Sequence, residues 1–244
     1  MFHEIWIPSR KPFPLKHRVL GFFQKRVVRT LMREHPPALA TSQLAVHCDA
    51  LAGIGVNAKL LPLHGNIPVY PCGAPRDWLR VKMGRELYPD IGVVMGFFGN
   101  ILPTLSLKLL EKTLRSLGAP DRKALVLSAG GLSTGSQLLW NDMKTQLADL
   151  ADFHALGRCG DEEVSYYLQA LDWGLTSYPA DLAGKSGAVA AMLEHGVSVK
   201  ICGFWQPDGS CEVASIEAAG NRWGVVDTAA RFLDLLNNHN HHGA

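Results

Sequence analysis

Apolar positions along the chain change period several times, and each change marks an element. Residues 1–7 read as a strand that starts without a preceding turn or cap. Pro8, Pro12 and Pro14 then hold an extended segment, after which Leu20, Phe23, Val27 and Leu31 recur at helical spacing until Pro36 and Pro37 stop the helix. A short strand over 38–41, a helix over 43–52 and an apolar strand-like run over 58–61 follow. Pro62, Gly65, Pro68, Pro71, Gly73 and Pro75 then accumulate, a density of breakers that neither a helix nor a sheet interior accepts, and this predicts a linker.

A second alternating series begins at Ile91. It predicts strands over 91–97, 124–127, 153–156, 174–178 and 197–203, separated by helices over 105–117, 136–150, 161–171 and 187–195. Asp161 and Asp227 stand where caps are expected, the latter opening a last helix through Leu236. Alternation of this kind belongs to crossover units on parallel sheets. The expected organisation is a partial first lobe over 1–68, a linker over 69–90, a larger Rossmann-like lobe over 91–236 and a polar tail over 237–244. About three strands in the first lobe are too few for a doubly wound sheet with both faces covered, so that lobe is expected to be incomplete.

Composition narrows the picture. The 244 residues are 47% hydrophobic and 19% charged, which excludes a disordered chain, and a formal net charge of +2 argues against a nucleic-acid partner. The charge is uneven: residues 9–35 hold eight Lys and Arg against Glu34 alone. Within the helix over 16–34 those cations stand among Phe22, Phe23, Val27 and Leu31, a mixture suited to an anionic membrane surface. A crossover helix with one apolar and one solvated face reads the same way. Five scattered cysteines without a Cys-x-x-Cys pair encode neither a disulfide framework nor a zinc ribbon and fit a reducing cytoplasm. No apolar run reaches the roughly 18–20 residues a spanning helix needs, so contact with a membrane would be peripheral, at its inner face.

Candidate chemistry concentrates at Gly184-Lys185-Ser186-Gly187, which follows a strand ending at Tyr178-Pro179 and opens an apolar helix. Glycines let a ligand approach the backbone, a helix N-terminus offers unpaired N–H groups, and Lys185 and Ser186 add a charge and a hydroxyl; a phosphate or diphosphate is the natural guest. A tight strand-to-helix turn with a solvated lysine is the plainer reading. The segment is not a P-loop, because Pro179 stands where that motif needs a glycine. The second glycine cluster, 130–136, has the P-loop interval without its lysine and reads as a loop with Ser or Thr capping. Gly96, Phe97 and Gly99 close the first strand of the second series, where open α/β sheets place ligands. His3 and Glu4 lack the second histidine of a zinc protease motif, and His239, His241 and His242 sit in a polar tail, so no metal site is expected.

With these segments in view, the chain resembles the retaining GT-B glycosyltransferases of the glycosyl transferases group 1 family. The resemblance is carried by Leu156-Gly157, the run Asp161–Leu168, Ser177-Tyr178-Pro179, Gly184–Gly187 and Met192–Val199, in that family's order, together with Phe2-His3-Glu4 and the stretch from Leu61 to Pro68. It implies an α/β, GT-B-like pair of Rossmann-like lobes with parallel sheets, and transfer of a sugar from a nucleoside diphosphate sugar without bound metal or cofactor. Carried onto this sequence, it implies His3 beside the donor sugar as the catalytic residue. It further implies Gly96, Phe97 and Gly99 along the cleft, and Gly184, Lys185, Ser186 and Gly187 on the diphosphate. The family's two Glu residues eight apart fall on Ala183 and Ala191, and its Arg and Lys after the first strand are absent, leaving Lys185 and Arg158 as cations for the leaving group. The family's residues ahead of the His-bearing strand are missing too, which leaves open a truncated or fragmentary product, a partner chain that completes the first lobe, or a lobe that has become a binding module. A non-catalytic nucleotide-sugar binding or complex-forming subunit with an exposed sheet edge is the alternative expectation. A nucleotide-dependent oxidoreductase is disfavoured by the absence of Gly-x-Gly-x-x-Gly after a strand.

Overall fold

The structure is a computed structural model and describes residue 5 and residues 14–84, 92–118, 122–203, 213–218 and 224–241. The strand expected over 1–7 and the His3 assignment fall outside the described residues. The chain divides into two compact units, Met1–Leu63 with Val225–Ala244, and His64–Gly224.

The first unit contains α1 (Leu15–Glu34), β1 (Ala40–Ser42), α2 (Ala45–Ala52) and β2 (Ala58–Leu60). Helix α1 is rich in Leu, Lys and Arg, good helix formers, and it stops at His35 because the residue before Pro36 is pushed out of the helical region. Strands β1 and β2 pair in parallel, Ala40 opposite Ala58, and Leu61 N–H extends the ladder to the Ser42 carbonyl at 2.9 Å. All three β1 residues are buried.

In the second unit the order is α3 (Pro75–Met83), β3 (Val94–Phe98), α4 (Leu107–Leu117), β4 (Ala124–Ala129), α5 (Thr134–Gln146), β5 (Ala151–Gly157), α6 (Asp161–Gln169), β6 (Trp173–Thr176), α7 (Gly187–Glu194), β7 (Val199–Ile201) and β8 (Ala214–Ile216). Helix α8 (Val225–His241) returns to the first unit. Strand order across the sheet is β5-β4-β3-β6-β7-β8, parallel throughout except the antiparallel pair β7 and β8. The chain steps outward from β3 through β4 to β5, then crosses back to β6 on the other side of β3. That is Rossmann-like, doubly wound topology with its switch point between β3 and β6.

Both sheet faces are covered, which explains why the strands read as near-continuous apolar runs. Side chains alternate between two cores. Val94, Leu125, Leu127, Tyr167, Leu168 and Met192 fill one, and Met95, Phe97, Val126, Leu110, Trp140 and Met143 fill the other.

Two elements differ from the sequence expectation. Helix α3 occupies part of the segment read as linker, started by Pro75 at its first turn and anchored by fully buried Leu79. Trp78 meets Tyr166 edge-on at 5.9 Å, Lys82 pairs with Glu163 at 2.5 Å and Arg76 with Asp172 at 2.6 Å, so α3 is fastened along α6 and the start of β6. The expected Asp161 cap is corrected too: Gly160 is the cap, and Glu163 accepts its N–H at 3.4 Å. Asp227 likewise lies inside the first turn of α8, which starts at Val225.

Candidate functional site

Ligands in open α/β sheets collect beyond the carboxyl ends of the strands at the switch point, because the loops leaving two adjacent strands diverge there and open a crevice. Here those strands are β3 and β6. The first delivers Gly99 and the loop to α4; the second delivers Ser177 to Ser186 and the start of α7.

A row of glycines in left-handed backbone conformation ends the three neighbouring strands: Gly99 at φ 78° after β3, Gly130 at φ 113° after β4, and Gly157 at φ 74° closing β5. The turns are linked. Gly99 N–H donates to the Ala129 carbonyl at 2.8 Å, Gly130 N–H to the Gly157 carbonyl at 2.8 Å, and a Cβ on Gly130 would lie 3.2 Å from the Gly99 Cα. Only glycine meets the backbone angle and the spacing together at position 130.

On the other side of the switch point, buried Ser177 ties the two crevice loops together. Its hydroxyl accepts the Leu102 N–H at 2.8 Å, and its carbonyl accepts the Thr104 hydroxyl at 2.7 Å. Gly203 packs against that carbonyl so closely that a Cβ there would fall 2.0 Å from it. Ser106 N–H reaches the Cys202 carbonyl at 2.8 Å, and Cys202 N–H the Thr176 carbonyl at 2.8 Å. The ends of β3, β6 and β7 thus form one hydrogen-bonded floor. Burial pushes the Cys202 thiol up to about 12, so this cysteine stays a neutral packing group.

Above the floor, Pro179 to Ser186 folds into consecutive tight turns ending in a 3-10 turn, Ala183–Lys185. The Pro179 carbonyl accepts from Leu182 and Ala183, Leu182 from Lys185, and Ala183 from Ser186, all at 3.0–3.1 Å. Those four amides are therefore engaged inside the protein. Ser186 caps α7, its hydroxyl accepting the Val189 N–H at 3.3 Å. Gly187 and Ala188, the first two helical residues, have by position no carbonyl one turn earlier within the helix, and both are half-exposed. Gly184 is exposed, Lys185 half-exposed, and Ser186 buried. The loop therefore presents Lys185 and the leading amides of α7, which together attract negative charge.

The other expected site residues are placed differently. Gly96 lies within the sheet, where a Cβ would meet the Tyr167 hydroxyl at 2.1 Å. Phe97 is 2% exposed and its side chain belongs to the core. Its carbonyl accepts the Tyr167 hydroxyl at 2.8 Å, and burial drives that phenol far up from its usual range. Gly96 and Phe97, expected along the cleft, are corrected to packing positions: alternation turns them to opposite faces of the sheet, and both faces are covered. Gly99 stands at the strand end as expected. Arg158 is exposed just past β5, and its Nε lies 3.2 Å from where a Cβ on Gly131 would sit, so the side chain runs across the β4–α5 turn. Arg158 follows β5 and Lys185 lies in the loop after β6, three places away in the strand order. Ala183 and Ala191 are both fully buried.

Sequence reasoning missed the clasp behind this loop. Gly65 N–H donates to Glu194 at 2.6 Å, Tyr70 N–H to the Ser165 hydroxyl at 2.9 Å, and Gln169 Nε2 to the Tyr70 carbonyl at 2.7 Å. A Cβ on Gly65 would fall 2.7 Å from the Ala191 Cα, so the segment 64–70 lies directly on α7. Glycine at 65 in a breaker-rich stretch was the available signal, but its partner 126 residues later was not legible in the sequence.

No family model matches the chain, and no curated protein is similar to it. Solved structures are. Anabaena Alr3699/HepE, crystallised in complex with UDP, superposes with a TM-score of 0.53 over 81% of this chain and 51% of its own, at 16% identity. The same protein in complex with UDP and glucose gives 0.49 over 72% of this chain and 47% of its own, at 18% identity. WaaG, a glycosyltransferase involved in lipopolysaccharide biosynthesis, gives 0.41 over 97% of this chain and 80% of its own, at 13% identity. The chain spans about half the length of the HepE chains it matches. At this identity the likeness concerns architecture: the chain is built on the Rossmann-like α/β plan of the GT-B glycosyltransferase structures.

Proposed function

We propose that the second unit binds a nucleoside diphosphate sugar at the switch point, and that the chain belongs to machinery that transfers the sugar from that donor without a bound metal. The observation that carries this reading is the convergence at the carboxyl ends of the central strands of the Gly99 turn, the Ser177-tied floor and the Lys185-bearing loop that opens α7. Its support from comparison is that HepE, with the same fold, was crystallised in complex with UDP. The diphosphate would lie on the α7 N-terminus and Lys185, with Arg158 toward the nucleoside end. In a transfer step the departing diphosphate gains negative charge, and fixed donors aimed at it lower the barrier.

Calorimetric titration with a panel of nucleoside diphosphates and the matching nucleosides tests this. Lys185→Ala removes a charged donor, so diphosphate affinity should fall about tenfold or more while nucleoside affinity changes little. Equal losses for both ligands would move the phosphate elsewhere.

A second reading, a nucleotide-sugar binding or complex-forming subunit without activity of its own, is favoured by Ala183 and Ala191. Neither presents a polar group and both are buried, so this loop offers no carboxylate to sugar or ribose hydroxyls from those positions. Under it the purified chain binds the donor and transfers sugar weakly or not at all. Robust transfer by the 244-residue chain alone would exclude that reading.

A further inference from the structure

Helix α7 is covered on more than the side that faces the sheet. Val189, Ala190, Ala191, Met192 and Leu193 are consecutive and each is 9% exposed or less, whereas a surface helix buries one stripe rather than a continuous run. The sheet accounts for one side: Met192 packs on Gly174 of β6, where a Cβ would collide with its sulfur. The clasp, residues 64–70, accounts for another. A Cβ on Gly65 would fall 2.7 Å from the Ala191 Cα and 2.9 Å from the Ala191 nitrogen. Buried Ile67 enters the same core as Val189, Ala191 and Met192.

The clasp is fastened at the end of α7 away from the crevice. Glu194 is the last helical residue, and its carboxylate accepts the Gly65 N–H at 2.6 Å. A negative charge at a helix C-terminus opposes the helix dipole, so the helix alone does not favour one there; the bond to Gly65 accounts for it. Beside it, His195 spans from the Ala191 carbonyl, 2.7 Å from Nδ1, to the Ser165 hydroxyl, 3.0 Å from Nε2. Ser165 also accepts the Tyr70 N–H at 2.9 Å, and Gln169 Nε2 reaches the Tyr70 carbonyl at 2.7 Å. One end of the clasp is thus tied to α7 and the other to α6. At 1.5 Å per residue, Glu194 stands about 10 Å along the axis from Gly187, where the leading amides of α7 are. A helix of eight residues moves as one piece, so what holds its far end sets where those amides point.

We infer that the clasp positions α7 for an anionic ligand, with Glu194 and Gly65 as positioning residues that touch no ligand themselves. This deepens the donor reading above and rests on it. A released clasp leaves α7 a range of positions, and apparent affinity falls by the fraction of time the helix spends in the competent one. The coupling is reciprocal, so a diphosphate held on the leading amides tightens the clasp in turn.

Two measurements on the full chain test it. In amide hydrogen exchange, saturating UDP should slow the peptide covering 64–70 together with the one covering 184–188. In calorimetry, Glu194→Ala should weaken UDP about tenfold and uridine less than about twofold, because only the diphosphate depends on the α7 amides. Gly65→Ala, which pushes the clasp off α7, should act in the same way. Glu194→Gln keeps an acceptor for the Gly65 N–H and should bring UDP affinity back to within about threefold of the parent. Protection of 184–188 without 64–70 would overturn the inference. So would equal losses of UDP and uridine in Glu194→Ala, which would make the clasp a general support, or a Glu194→Gln protein no better than Glu194→Ala. UDP that does not bind, or binds without protecting 184–188, would remove the donor reading itself and the inference with it.

Discussion

His195 illustrates how one half-buried side chain couples the chain's stability to pH. Its Nδ1 lies 2.7 Å from the Ala191 carbonyl, which can only accept, so Nδ1 carries the proton and Nε2 accepts the Ser165 hydroxyl at 3.0 Å. Ser165 in turn accepts from Tyr70 N–H and Gln169 Nε2. Burial holds the His195 pKa below the ordinary value, outweighing the Ala191 and Pro68 backbone groups that favour the protonated form. Above about pH 6.5 the imidazole is neutral folded and unfolded, and its stabilisation is complete. As pH falls below that value the unfolded chain takes up the proton first, so stability is lost down through the folded pKa. Unfolding curves at stepped pH should show the midpoint falling between about pH 7 and 5, and less steeply in His195→Gln. Identical pH profiles for the two proteins would remove His195 from the account. Gly96 is another single-residue test: Gly96→Ala forces a methyl onto Tyr167 and Leu171 in a packed core and should cost about 1–3 kcal/mol in denaturant titration.

At the scale of elements, periodicity recovered most of what forms. The strands of the second unit read from apolar runs because both faces are covered, and α4 and α5 read from apolar spacing over 105–117 and 136–150, although the structure starts them after Ser106 and Ser133, whose hydroxyls cap them. Helix α3 did not read, because Pro75 counts as a breaker in a sequence and as a helix starter once the turn before it is known. Strand β8 did not read either, being a three-residue antiparallel addition at the sheet edge with no periodicity to display. The Gly184–Gly187 loop was legible as a strand-to-helix junction. The consumption of four of its amides by internal turns was not, since that depends on turn geometry rather than residue type. The floor tying β3, β6 and β7 supplies the test at this scale. Gly203→Ala drives a methyl into the Ser177 carbonyl, so it should both lower stability and weaken nucleoside diphosphate binding, whereas Gly187→Ala, with open space around it, should leave stability unchanged.

For the whole molecule, strand order is the decisive fact that sequence could not supply. Alternation predicts parallel strands, but the order β5-β4-β3-β6-β7 is what places Gly99 and the Lys185 loop at one crevice and sets Arg158 two strands beyond β3. Interior packing also reassigned Gly96 and Phe97, because glycine and phenylalanine near a strand end look alike in a sequence whether they face a ligand or a core. The two units differ: one holds the switch-point crevice proposed for the donor, and the other an outward apolar and cationic helix. Amide hydrogen exchange on the intact chain, with and without saturating UDP, tests the crevice most directly. The account predicts slowed exchange in peptides covering 99–104 and 184–188. UDP binding that leaves both segments unchanged, or protects only segments of the first unit, would contradict it.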